Sequence, residues 1–463
     1  MTDDLAYTGA LEQAALVRAG DVSPLDLVDL YLDRIEALNP KLDAYLTVAA
    51  DHAREQARAK TGATGDLPPF HGVPISIKDL NSTAGIRTTS GTAAWHDRVP
   101  DLDDEVVKRI KAAGFVILGK TNTPEFGSRA TTESPHYPPA RNPWDTSRTP
   151  GGSSGGAAAA CAAGLCPIAQ GSDGGGSIRI PSAWCGLFGM KPSRGRVSSA
   201  PGIQSFYATN GFLARTVADS AAALDAVAGP APGDAWWAPP PARPFLAEVG
   251  ADPGRLRIAF TAAHPDGTTE VAEAWRAAVT ETATLLDSLG HELVEDAPEP
   301  LVLVNAAAAA AGFMAAADWP ARETLDPVNQ TVLAIGEAAT AKEMAQSMID
   351  IQLWIRRVAP FFERYDVLLS PTLAGPPPRI GDRIMGTEDS LDALMEVTRL
   401  VAFTPTWNQS GQPAMAVPSG FDADGLPVSV QCVGRAAAEA TLFRLAAQLE
   451  AARPWASARP PVA

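Results

Sequence analysis

Histidine is scarce in this chain, six among 463 residues, and cysteine is scarcer at four. The histidines are scattered, no H-E-x-x-H occurs, and His291-Glu292 has no second histidine four positions on, so the spacing lends a metal site no support. Four cysteines make no disulfide framework at this length, and a reducing compartment, the cytoplasm, is the simplest expectation. Cys161 and Cys166, in an alanine-rich helical run, read as buried thiols, and Cys185 as a packing residue. Positive charge is also short. With Lys+Arg 37 against Asp+Glu 53 the formal net charge is -16, which disfavours a nucleic-acid partner. No uninterrupted apolar run reaches membrane-spanning length, and Met1-Thr2-Asp3-Asp4 opens no charged-then-apolar leader, so neither a membrane span nor a signal peptide is expected. Walker and dinucleotide fingerprints are missing as well, and no cofactor is implied.

What the chain does have is glycine around serine. Gly151-Gly152-Ser153-Ser154-Gly155-Gly156 and Gly174-Gly175-Gly176-Ser177 follow each other closely, and Lys78 lies upstream in the strand-like run Gly72-Val73-Pro74-Ile75-Ser76-Ile77-Lys78-Asp79-Leu80. Acyl transfer needs a nucleophile, a base, a proton relay and N–H donors for an oxyanion, and these segments can supply all four without histidine. The three glycines before Ser177 leave no Cβ to stop backbone N–H groups turning inward. The first loop opens onto an alanine run, which puts the serine pair near a helix N-terminus. A lysine serving as base must be desolvated, because an exposed one, with pKa about 10.4, stays protonated near neutrality. Strand alternation turns Asp79 away from Lys78.

Each part has an ordinary reading: strand-end lysines are usually solvated, and serines in glycine loops are usually turn formers. Joint order and spacing argue otherwise. A sharper rival is the nucleophile elbow G-x-S-x-G, which Gly151 to Gly156 satisfies twice. A Ser-His-Asp α/β-hydrolase would then need His264 or His291, and it leaves the Lys78 and Ser177 segments unexplained.

The stretch Gly151 to Gly156, then Gly171-Ser172-Asp173-Gly174-Gly175-Gly176-Ser177-Ile178-Arg179-Ile180-Pro181 and Cys185-Gly186-Leu187-Phe188-Gly189-Met190-Lys191-Pro192, closely resembles the amidase signature family. Gly72 to Asp79, Gly119-Lys120-Thr121-Asn122-Thr123-Pro124-Glu125 and Asn408-Gln409-Ser410-Gly411-Gln412-Pro413 look like further landmarks of that family. The resemblance implies Lys78 as base, Ser153 as relay held by a cis peptide bond, Ser177 as nucleophile, and the N–H groups of Gly174, Gly175, Gly176 and Ser177 as oxyanion hole. It adds Phe126, Gly127, Ser154 and Trp319 as substrate contacts. It implies hydrolysis of amides, with esters and carbamates also accepted, by a monomer or homodimer acting on small molecules. Within the family the chain looks closest to stand-alone bacterial amidases acting on nylon oligomers, aryl acylamides and urethanes. The rival within the family is the glutamine-hydrolysing subunit of a tRNA-dependent amidotransferase, which typically has threonine in the middle of the loop where this chain has Asp173-Gly174-Gly175.

Alternating helix and strand patterns predict an α/β layered fold. Ser23-Pro24 opens a helix with Leu25, Val28, Leu32 and Ile35 on one face, stopped at Asn39-Pro40; a helix over 104–113 leads to a strand at 115–118. The resemblance sharpens this to one α/β/α domain over 1–463 with a large, mixed, twisted sheet. Its catalytic core would be 60–200, and a variable segment, 230–400, would form pocket walls. In that segment Pro230-Ala231-Pro232-Gly233-Asp234 and Ala238-Pro239-Pro240-Pro241 bracket Trp236-Trp237, and 301–362 reads as mostly helical with Phe313, Met314, Trp319, Met344, Met348 and Trp354.

Overall fold

The computed structural model describes residues 2–300, 311, 312, 314–316, 319–381 and 396–463. Among them eleven strands form one mixed sheet in the order β1-β3-β2-β4-β6-β5-β10-β11-β9-β7-β8. The first half is β1 (Tyr45–Val48), β2 (Pro74–Lys78), β3 (Val116–Thr121), β4 (Ile168–Asp173), β5 (Phe188–Lys191) and β6 (Thr209–Ala214). The second half is β7 (Arg257–Phe260), β8 (Glu292–Glu295), β9 (Val367–Pro371), β10 (Ala414–Phe421) and β11 (Pro427–Gly434). Strands β3, β2 and β4 run parallel, as do β9, β7 and β8, and the strands from β4 through β6, β5, β10 and β11 to β9 pair antiparallel. The expected mixed sheet is therefore present, and both its faces are covered.

Alternation along β3 shows how the faces divide. Ile117 packs in a core with Ile75, Ile77 and Phe212 against helices Glu105–Ala112, Val217–Val227 and Glu439–Ala452. Its neighbours Val116 and Leu118 pack with Tyr31, Ile35 and Ala157 to Ala163 against helices Pro24–Leu42 and Gly155–Ala162. Because Ile75 and Ile77 take the first face, Ser76 and Lys78 belong to the second, the side of the alanine helix. That helix is nearly all glycine and alanine, which lets its backbone lie close on the sheet.

The helix that begins at Ser23 carries a full capping box with Asp26 and Pro24 in the first turn, as its sequence predicts. Its end differs from expectation. Pro40 sits inside the last turn and the helix runs to Leu42, closed by Asp43 in a left-handed conformation whose N–H reaches Asn39 O. One missing N–H near a terminus is tolerated where Leu42 gains full burial. Of the 301–362 stretch, helices Pro327–Ala338 and Ala341–Arg364 are seen, while 301–310 and Phe313 lie outside the described residues. No helix among the described residues is long and apolar enough to cross a membrane.

Candidate active site

Lys78 ends β2 and is wholly buried. Its Nζ donates to Ser153 Oγ at 2.7 Å and to Ser172 Oγ at 3.2 Å, and its backbone N–H is held by Gln170 Oε1 at 3.1 Å. Loss of water pushes its ammonium down from 10.5 to about 7, against an opposing pull from the Asp173 carboxylate. Asp79 turns instead to Thr89, accepting from its N–H at 2.9 Å and its hydroxyl at 2.5 Å. Near neutral pH about half of the Lys78 amines are therefore free to accept a proton, through a contact already made to a serine.

The Gly152–Ser153 peptide is cis. Ser153 and Ser154, adjacent in sequence, have different surroundings. Ser153 lines a cavity, whereas Ser154 is fully buried outside it, its N–H donating to Ser177 O at 3.3 Å and its hydroxyl to Ser172 O at 3.2 Å. Ser154 is thus not the substrate contact the sequence suggested. It ties the serine loop to the strand end and to the glycine loop, because the chain enters helix Gly155–Ala162 at this point and turns consecutive side chains apart.

The glycine loop is braced from below by Asp173. Its carboxylate accepts from Gly176 N at 2.7 Å, from Arg179 Nε and Nη2 at 2.9 Å each, and from Asn408 Nδ2 at 2.9 Å. Arg179, also wholly buried, donates further to Thr404 O, Gln431 Oε1 and Asn408 Oδ1, and it holds the Asp173 carboxyl far below the usual carboxylate range. At Gly176, with φ 127°, a Cβ would fall 2.2 Å from Thr404 Oγ1, so only glycine fits. The expectation of four inward N–H groups needs correcting here, since that of Gly176 is committed to Asp173. Those of Gly174, Gly175 and Ser177 have no acceptor among the described residues and stay available to an oxyanion. Sequence reading missed this brace and Ser172. The only sign of them was charge, Asp173 and Arg179, flanking an otherwise apolar and glycine-rich stretch.

Above these groups lies a cavity of about 780 Å³ lined by Ser153, Ser172, Gly174, Gly175 and Ser177. Its other walls are mostly apolar: Leu80, Phe126, Ile180, Phe206, Met314, Trp319 and Val401 among them. Phe126 meets Trp319 edge-on at 4.3 Å and Trp95 at 5.1 Å, so two sequence-predicted contacts form one aromatic wall. Gly127, the third, passes so close that a Cβ would sit 2.7 Å from Leu80 and 3.0 Å from Ser153 Oγ. Met314 and Trp319 come from the segment expected to vary, while Trp354 goes to a core with Phe362 and Trp407. Arg129 is the one charged residue among the described lining residues, and it is ion-paired to Asp326. No histidine is among the described residues that line the cavity. His264 is held by Asp266 and Arg399 O, and His291 by Leu256 N and Gln448, which removes the histidine-based rival.

An α/β enzyme of the hydrolase type is what this fold and cavity describe. The family comparison agrees: a model described as Amidase matches residues 26–443, and the chain belongs to the amidase signature family. A Synechocystis sp. protein, named only as an amidase, is 41% identical over 458 residues, covering 96% of this chain and 89% of that protein. The solved structure of a 6-aminohexanoate cyclic dimer hydrolase is similar at TM-score 0.93 and 32% identity over 99% of both chains. A bacterial aryl acylamidase structure follows at TM-score 0.87 and 27% identity, over 98% of this chain and 99% of that one. The protein is an amide hydrolase.

Proposed function

We propose that the protein hydrolyses uncharged amides with apolar or aryl groups through a Lys78–Ser153–Ser177 relay, and that esters and carbamates enter the same path. The observation that carries this is the 2.7 Å contact of a buried Lys78, brought down to about 7, with Ser153 Oγ at the floor of the cavity that Ser177 shares. Ser177 Oγ attacks the carbonyl carbon as its proton passes to Ser153 and that of Ser153 to Lys78. The oxyanion meets the N–H groups of Gly174, Gly175 and Ser177. The C–N bond then breaks, the leaving nitrogen takes a proton back through Ser153, and water cleaves the acyl ester, releasing the acid and restoring Ser177. An ester or carbamate differs only in the leaving atom or in the group retained on the acyl side.

The lining argues against glutamine. Its ammonium and carboxylate would need partners, yet no carboxylate lines the cavity among the described residues and Arg129 is already engaged by Asp326. We expect kcat/KM for an anilide to exceed that for glutamine by at least about a hundredfold. Ser177→Ala is expected to abolish labelling by a fluorophosphonate with the fold intact. Wild-type labelling of that variant, read by intact mass, would overturn the assignment of the nucleophile.

A further inference from the structure

The loop that closes one flank of the cavity has a second side. Ile203 and Gln204 line the cavity above Ser177, and they also line a separate hollow of about 420 Å³ formed by residues 200–204 and 232–236. The two spaces therefore share a ridge. On it stands Ile203, 91% exposed, far more than any other large apolar side chain described. The second hollow is built from the proline-rich loop whose tryptophan pair the relay does not use.

We propose that this hollow is a second subsite of the active site, taking the far end of an elongated, uncharged substrate whose scissile carbonyl lies at Ser177. The proposal rests on the hydrolase reading above and extends it from the reacting group to the length of the substrate.

Three features support this. The ridge is fixed: Gln204 Nε2 donates to Trp236 O at 2.8 Å, its Oε1 accepts from Ala235 N at 2.6 Å and Trp236 N at 3.2 Å, and Phe206 stacks on Trp236 with ring centroids 4.8 Å apart and planes 25° apart. A surface already fixed loses little entropy on binding. The walls are apolar: Ala200, Pro201, Ile203, Pro232 and Trp236 dominate, and the one ionisable residue, Asp234, is engaged by Ser198 Oγ at 3.1 Å and Ala231 N at 2.8 Å. An anionic end would find no counterion there. Last, the ridge is continuous with the reacting centre. Asn408 Nδ2, which holds Asp173 under the glycine loop, also holds Tyr207 O at 2.9 Å, so the flank and the oxyanion donors are set by one side chain.

The test uses linear N-alkyl alkanamides lengthened on the acyl side or on the amine side, bound to Ser177→Ala protein so that affinity is read without turnover. A chain that passes the ridge and buries methylenes in the hollow gains up to about fourfold in affinity per methylene. Ala235 is exposed, lines only the hollow, and contributes its backbone N–H to Gln204, which substitution retains. With Ala235→Glu the affinity ratio of the longest to the shortest amide is expected to fall at least about tenfold in one of the two series, and with Ala235→Gln to fall much less. Equal ratios in parent and Ala235→Glu, in both series, overturn the subsite. Hydrolysis of a short amide by the unsubstituted protein is measured alongside; its failure would instead strike the reading of the reacting serine, leaving the binding result to stand by itself.

Discussion

Replacing Lys78 with methionine is expected to make the protein more stable at neutral pH while removing its activity. The side chain is wholly buried, and loss of water moves its ammonium from 10.5 to about 7. At pH 7 the unfolded chain keeps the proton and the folded chain keeps it about half the time, a difference that opposes folding by about 4 kcal/mol. Methionine is of similar length and carries no charge. It forfeits the bonds to Ser153 and Ser172, each contributing about 1 kcal/mol, which leaves a net gain of about 2 kcal/mol. For 463 residues, at an unfolding entropy of about 2.1 cal/mol/K each, that is about 2 °C in Tm. The sign with pH follows from the folded value lying below the unfolded one. The penalty is full below about 7 and fades as pH rises toward 10.5, where the unfolded lysine also loses its proton. Thermal unfolding of Lys78→Met and parent at pH 7, 8.5 and 10, on about that spacing, should show a gap that shrinks with pH. Anilide hydrolysis should fall by about 10²- to 10⁴-fold. A variant less stable than the parent at pH 7, or a gap that widens with pH, would refute a desolvated lysine at this position.

In the parent, kcat/KM for an uncharged anilide should climb about tenfold between pH 6 and pH 8 and then level, as the neutral fraction of Lys78 rises through its value of about 7. An unperturbed lysine would give a climb of about a hundredfold over the same range with no levelling. Asp173→Asn strands the buried Arg179 guanidinium and should cost about 3–5 kcal/mol, seen as a Tm lower by about 3–5 °C. Because the Asp173 charge raises Lys78, the same substitution should move the rising limb of the pH profile to lower pH, and a limb that stays in place would show that the two charges do not communicate.

The sequence by itself determined the parts that depend on local chemistry. Glycine on both sides of Ser153-Ser154 and before Ser177 marks backbone that must pass where no Cβ fits, and the β-branched alternation around Lys78 marks a strand whose lysine ends up in the core. Order and spacing of these segments were enough to bring the family resemblance and the α/β fold, and of the four residues expected to meet substrate, Phe126, Gly127 and Trp319 line the cavity. Tertiary structure decided the rest, because the deciding contacts join residues far apart in the chain. Ser153 and Ser154 are indistinguishable as letters, and only the packing of helix Gly155–Ala162 against the sheet sends one to the cavity and the other to Ser172. Gly176 reads like its neighbours until Asp173 is found to hold its N–H, and Asp173 is itself fixed by Asn408, more than two hundred residues later. The value of about 7 at Lys78 is likewise a property of the folded chain, since burial sets it and no stretch of sequence can desolvate a lysine alone.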